Sequence, residues 1–265
     1  MTIAIREAAL VAALDRHPAL AIAVSGGVDS MVLAHVGHRL SQAATTAVHA
    51  VSPAVPALAT ARVEDHARRF GWRLRLIDAG ELADPAYRAN PVDRCFYCKS
   101  NLYSRIREVI GGSIASGTNL DDLDDFRPGL DAARRAEVVH PFVEAGLGKA
   151  DIYELARAYG LDDLAALPAQ PCLASRIETG IGVDEDALAF IEAVEIELAA
   201  ALPGAEALRC RITAAGVFAE CAPLPEGPQA EAIAARVAAL AAAAGRPFGG
   251  LRAYRRGAAF LRDLR

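Results

Sequence analysis

The run Ala19-Leu20-Ala21-Ile22-Ala23-Val24 contains no polar side chain and stops at Ser25-Gly26-Gly27. An unbroken apolar run of strand length reads as a strand buried on both faces, the situation found in a helix-covered parallel sheet. A helical stretch follows from Asp29 to about Leu40, so the first unit is strand, glycine turn, helix. Residues 47–51, 113–116 and 138–139 read as further strands, and 73–77, which alternates, as a strand nearer the edge. Residues 60–70, 99–110 and 149–159 read as helices, ended by Gly71, Gly111-Gly112 and Gly160. Strands alternating with helices predict an α/β fold with a doubly wound parallel sheet. Such sheets bind ligands beyond the carboxyl ends of their strands. The loops after Val24, Val51, Ser116 and Phe142 are therefore the expected site.

The pattern changes at 168–179. Beyond it come a helix (184–202), strands at 207–213 and 217–221, an alanine-rich helix (229–244) and a last strand near 251–254. Pro223, Pro225 and Pro228 mark a loop inside this part. The expected division is an α/β domain over 1–170 and a smaller α+β domain over 180–265, for substrate binding or oligomerisation. With 53% hydrophobic residues, both parts can bury a core. A net charge of −5 argues against a broad basic surface for nucleic acid, and no apolar run reaches membrane-spanning length. Residues 1–16 read as an amphipathic helix without the parts of a signal peptide, so the expected compartment is the cytosol. Five cysteines there are not expected to form disulfides.

Within Ser25-Gly26-Gly27-Val28-Asp29-Ser30, the glycines let backbone approach an anion closely. The helix that follows offers free N–H groups and a favourable dipole to phosphate. Ser25 and Ser30 can add hydroxyl donors, and Asp29 can hold Mg²⁺ or cap the helix. Neither the Walker A lysine pattern nor G-x-G-x-x-G is present. The string resembles the PP-loop of the ATP-pyrophosphatase superfamily. That resemblance implies ATP cleaved between its α and β phosphates, with the substrate activated as an adenylate.

Cys95 and Cys98 form a C-x-x-C within Asn90-Pro91-Val92-Asp93-Arg94-Cys95-Phe96-Tyr97-Cys98-Lys99, and Cys172 lies in Pro171-Cys172-Leu173-Ala174-Ser175-Arg176. A C-x-x-C can present two thiolates to one metal, or be two buried thiols at a helix start. Three thiolates without a nearby fourth cysteine or histidine ligand suit an Fe–S cluster with one open iron better than a closed zinc site. Arg94, Lys99 and Arg176 nearby favour thiolates. Cys210 and Cys221 fall in apolar strand-like stretches and read as core. His35 and His38 are helical neighbours and read as structural, and the six histidines form no metal-spaced set.

Taken with Ser116-Gly117-Thr118-Asn119-Leu120-Asp121-Asp122 and Asp125-Phe126-Arg127-Pro128-Gly129, these segments make the chain resemble the LarE family. Those are ATP-dependent sulfur transferases that build the nickel-pincer nucleotide cofactor. The resemblance covers most of the first 180 residues. It implies a small-molecule nucleotide substrate, pyridinium-3,5-biscarboxylate mononucleotide, whose carboxylate is adenylated and then attacked by sulfur to leave a thiocarboxylate. In one branch of the family the cysteine matching Cys172 donates its own sulfur. In the three-cysteine branch the residues matching Cys95, Cys98 and Cys172 hold a [4Fe–4S] cluster. This chain has all three, so the cluster version is expected, with ATP, Mg²⁺ and sulfide or another sulfur donor as co-reactants and a homo-oligomer as the assembly.

Several further residues have two readings. Gly117, Thr118 and Asn119 can contact nucleotide, or Thr118 and Asn119 can form a strand-ending turn. Asp121, Asp122, Asp124 and Asp125 can orient Mg²⁺ or form a solvated acidic loop, and Arg127 can bind phosphate or pair with them. Ser175 and Arg176 can grip a substrate carboxylate or phosphate, or Arg176 can form a surface ion pair. Arg209 and Arg211 lie two apart on a strand and share a face. They match arginines the family uses for the substrate phosphate. The family follows them with His-His-Gly-Asp and another arginine, whereas this chain has Ile212-Thr213-Ala214-Ala215 and Phe218. The rivals are a tRNA thiolase with an Fe–S cluster, an ammonia-using amidating synthetase that would not need the C-x-x-C, and a non-enzymatic nucleotide-binding module. Tight, salt-sensitive tRNA binding would favour the first.

Overall fold

The computed structural model describes residues 2–123, 127–168, 170–255, 257 and 259. Two compact units divide the chain: residues 1–81 with 95–170, and residues 82–94 with 171–265.

The first unit is built on a four-stranded sheet of β1 (Ala19–Ala23), β2 (Ala44–Ala50), β3 (Leu74–Ile77) and β4 (Ser113–Ser116). Its order is β3-β2-β1-β4, and every pair is parallel. Leu20, Ile22 and Val24 enter one core with residues of the helices Ile3–Leu14, Val28–Arg39, Ala57–Phe70 and Lys149–Ala158. Ala21 and Ala23 enter a second core with Val48, Ile114 and, from the helix Arg94–Val109, Tyr103 and Ile106. Successive side chains of a strand alternate between faces. Both faces of β1 are therefore covered, which is why its sequence shows no polar alternation. The architecture is Rossmann-like, and β3, the alternating segment, lies at the edge.

The strand expected at Val138-Val139 is a single parallel bridge, Ala115↔Val139. Val138 N–H is already spent on Ala133 O at the end of the preceding helix, and Pro141 begins the helix Pro141–Glu144. Between those constraints only Val139 is left to join the ladder, donating to Ile114 O and accepting from Ser116 N–H.

The second unit carries a three-stranded sheet of β5 (Ala207–Thr213), β6 (Gly216–Ala222) and β7 (Phe248–Ala253). β5 and β6 form an antiparallel hairpin, and β7 runs parallel to β6. The helices Glu185–Ala201 and Gly227–Ala243 complete it. Asp184 caps the first by accepting from Ala187 N–H at 2.7 Å. Pro228 opens the second within its first turn, where a missing N–H costs nothing, so it starts a helix and does not prolong a loop.

Residues 82–94 join this unit through Asn90, which is 1% exposed. Its Nδ2 donates to Glu178 O at 2.9 Å and Ile181 O at 2.8 Å, and its carbonyl accepts from Gly180 N–H at 2.9 Å. No helix among the described residues is long and apolar enough to cross a membrane.

Candidate functional site

At the carboxyl end of β1, Gly26 holds φ +83°, and a Cβ there would lie 2.9 Å from Ala59 O. Glycine is therefore required by conformation and by space. Ser30 hydroxyl donates to Gly27 O at 3.1 Å and accepts from Ser25 N–H at 3.0 Å. Ser25 Oγ accepts from Gly27 N–H at 3.3 Å. The two serines thus shape the loop from inside, and Gly27 caps the helix Val28–Arg39. The first N–H groups of that helix have no intrahelical acceptor, so the loop has the chemistry to cradle an anion.

His49 braces the strand end. Its Nδ1 donates to Val24 O at 2.8 Å and Nε2 accepts from Thr60 Oγ1 at 2.9 Å. Burial lowers its pKa and keeps the ring neutral. His35 packs against Phe70 and Tyr159, and burial pushes its pKa down to about 4.

Gly117, just after β4, presses on this loop. A Cβ at Gly117 would lie 2.7 Å from Ser30 N and 3.0 Å from the Asp29 carbonyl carbon. Thr118 Oγ1 sits 3.0 Å from Ser116 Oγ. Asn119 is buried and caps the 3-10 turn Leu120–Asp122, accepting from Asp121 N–H at 3.0 Å. Asn119 thus does the turn-forming job. Asp122 pairs with Arg127 at 2.8 Å, and Asp121 accepts from Lys149 N–H. Asp124 and Asp125 lie outside the described residues.

Asp29 is held by Lys149, whose Nζ donates to both carboxylate oxygens at 2.6 and 2.8 Å. Burial raises the Asp29 pKa, and the lysine opposes that shift. Arg62 also reaches the loop, donating to Gly26 O at 2.8 Å. Sequence reasoning missed both cations. The signal for Lys149 was its rarity: Lys99 and Lys149 are the chain's two lysines among 28 lysines and arginines. Lysine gives a compact, mobile charge where arginine gives a rigid fork. Lys149→Ala leaves Asp29 as an uncompensated negative charge in an anion cradle. ATP affinity should drop roughly 100-fold, on the scale of one lost charge-assisted contact. Asp29→Asn added to it should restore part of that affinity when ATP is titrated without Mg²⁺, as isothermal titration would measure.

Cys95 and Cys98 occupy the first turn of the helix Arg94–Val109, three residues apart on one face, and both are partly exposed. Gly129 of the Arg-Pro-Gly segment lies against this turn, its Cβ position 3.1 Å from Lys99 Cγ and 3.7 Å from Cys95 O. The pair suits two thiolate donors. Within either unit, among the described residues, no three His, Cys, Asp or Glu side chains form a metal-binding group. Cys210 and Cys221 are fully buried on β5 and β6, and burial keeps both thiols protonated.

In the second unit, partly exposed Cys172 precedes the 3-10 turn Leu173–Arg176. Arg176 is 3% exposed and does not form a surface ion pair. Its Nε and Nη2 each lie 2.8 Å from a different oxygen of Glu195, and Nη1 donates to Pro171 O at 2.7 Å and Cys172 O at 3.1 Å. Ser175 is buried, and its carbonyl accepts from Arg211 Nη1 at 2.8 Å. Arg211 Nε donates to Glu220, which is fully buried and also accepts from Arg252 at 3.0 Å. Arg209 lies near the Tyr254 ring at 5.7 Å, and Arg252 stacks on Phe218 at 4.3 Å. Glu195, Glu220 and Arg252 are further residues that spacing alone did not single out.

Fold and loop together define a Rossmann-like protein whose first strand ends in a glycine turn at a helix N-terminus. No family model matches the chain. It is 34% identical over 181 residues to the uncharacterized protein slr1717 of Synechocystis, covering 67% of each chain. It is 29% identical over 199 residues to the pyridinium-3,5-bisthiocarboxylic acid mononucleotide synthase of Lactiplantibacillus plantarum, covering 73% of this chain and 72% of that one. It is 26% identical over 184 residues to the uncharacterized protein MJ0830 of Methanocaldococcus jannaschii. The chain belongs to the same family as the Synechocystis protein.

Proposed function

We propose that the chain is an ATP-dependent sulfur transferase of the PP-loop type that converts a carboxylate of a small nucleotide into a thiocarboxylate. The observation that carries the reading is the cradle of Gly26 to Ser30 closed by Gly117, in a relative of a thiocarboxylate-forming synthase. Pyridinium-3,5-biscarboxylate mononucleotide is the substrate that fits this relationship. The carboxylate oxygen attacks the α-phosphorus of ATP and pyrophosphate leaves. A sulfur nucleophile then adds to the acyl carbon, and AMP leaves with its electron pair. A carboxylate resists attack by sulfur, and adenylation supplies the missing leaving group.

Ser25, Gly26, Gly27 and Ser30 bind the ATP phosphates, and Gly117, Thr118 and Asn119 line the nucleotide. Asp29 would hold Mg²⁺, with Lys149 moving from the carboxylate to a phosphate oxygen as ATP enters. Arg127 and Ser175 contact the substrate, Arg209 and Arg211 supply positive charge for its phosphate, and Arg176 sets the turn beside it. Cys95, Cys98 and Cys172 would hold a [4Fe–4S] cluster, and that group would supply the sulfide when bound. The working form is a cytosolic homo-oligomer.

The test is anaerobic incubation of the iron- and sulfide-reconstituted protein with Mg·ATP and the dicarboxylate nucleotide. Stoichiometric pyrophosphate and a product with sulfur in place of oxygen are expected. No pyrophosphate with this or any other carboxylate rejects the reading.

A further inference from the structure

The residues around Cys172 form a clamp. Arg176 holds the carbonyl oxygens of Pro171 and Cys172, and Arg211 holds that of Ser175. The backbone of the turn is therefore gripped on both sides of the cysteine by two guanidinium groups. Each guanidinium is in turn fixed by a carboxylate from another element, Glu195 on the helix Glu185–Ala201 and Glu220 on β6. Glu195 meets Arg176 in a two-bond fork and also accepts from Cys210 N–H at 3.0 Å, tying the fork to β5. Glu220, fully buried, meets Arg211 at 2.8 Å.

We infer that Glu195 and Glu220 are positioning residues for Cys172, acting through Arg176 and Arg211. The inference rests on the reading of Cys172 as a thiol that handles sulfur. A buried ion pair is costly to desolvate and is weak evidence of stability by itself. A flexible cationic side chain also cannot hold a carbonyl in register without a second anchor, because its rotamer freedom opposes the bond. Two such pairs, converging on the carbonyls of residues 171, 172 and 175, fix the backbone that carries the thiol. Glutamine at 195 keeps the shape but turns an amide N–H₂ toward the guanidinium. The fork is lost and the carbonyls of 171 and 172 are released.

The experiment is iodoacetamide labelling of the full-length chain, with mass spectrometry of the peptides carrying Cys172 and Cys221. Cys221 is 0% exposed and reports on folding. Glu195→Gln should raise the Cys172 labelling rate at least fivefold while Cys221 stays protected. The kcat for thiocarboxylate formation should fall at least tenfold with the KM for ATP unchanged, and Glu195→Asp, which keeps the charge, should recover part of both. An unchanged Cys172 rate in a variant that protects Cys221 overturns the inference. Should Glu195→Gln expose Cys221, Glu195→Asp and Arg176→Lys are read by the same ratio of Cys172 to Cys221 labelling, and a ratio equal to wild type overturns it. Labelling needs no turnover. A rate change in a protein whose wild type never makes thiocarboxylate would therefore reject the functional reading and leave the clamp standing.

Discussion

Cys172→Ala abolishes thiocarboxylate formation, with an expected loss of at least about 10³-fold, because removing a nucleophile or its carrier removes a whole chemical step. Pyrophosphate release should persist within about threefold, since adenylation needs the cradle and not the thiol. Cys172 is partly exposed, so the fold should shift by no more than about 1 kcal/mol. The measurement is a quenched assay that counts pyrophosphate and sulfur-containing product separately. Equal loss of both would show that the two steps share a group, and full retention of product would remove Cys172 from the chemistry. Cys221→Ala is the control. It leaves a cavity under β6 and should cost about 1–2 kcal/mol of stability without separating the two readouts.

Gly117→Ala should damage the first unit strongly. The added methyl would meet Ser30 N at 2.7 Å, Ser30 Cα at 2.9 Å and the Asp29 carbonyl carbon at 3.0 Å. All three are backbone atoms and none can swing away. The end of β4 or the start of the helix must move, at a cost of about 1–3 kcal/mol. The helix N–H groups then lose their aim, and ATP affinity should fall at least about 100-fold, roughly 2.7 kcal/mol. Gly27→Ala is a useful contrast. Its methyl would meet only Ser25 Oγ at 3.5 Å, an ordinary contact, and Gly27 sits at φ −82°. It should fold normally, so any affinity it loses measures how near the phosphates come. Thermal unfolding and nucleotide titration of the two variants separate these effects, and equal behaviour would argue against the cradle geometry.

The parallel sheet is legible in the sequence because burial on both faces writes itself into β1 as an apolar run without alternation. The edge position of β3 is legible for the opposite reason, in Leu74-Arg75-Leu76. The anion loop is legible because glycine alone satisfies Gly26. Other features are set by partners distant in the chain. Lys149 opens a helix 120 residues after Asp29, and nothing local marks the pair. Glu195 and Glu220 look like ordinary acidic positions on a helix and a strand until the guanidiniums they hold are seen. Arg176 reads as a ligand-facing cation, yet the carbonyls it grips belong to its own turn. Val138-Val139 has strand composition, but a helix end and a proline leave it one residue long as a ladder.

The way Asn90 anchors residues 82–94 bears on how this molecule can be divided. A cut after Gln170 would strip that segment of Glu178, Gly180 and Ile181, the groups that satisfy its buried amide. A graft between relatives therefore needs three junctions, at 81/82, 94/95 and 170/171, to carry each unit over intact.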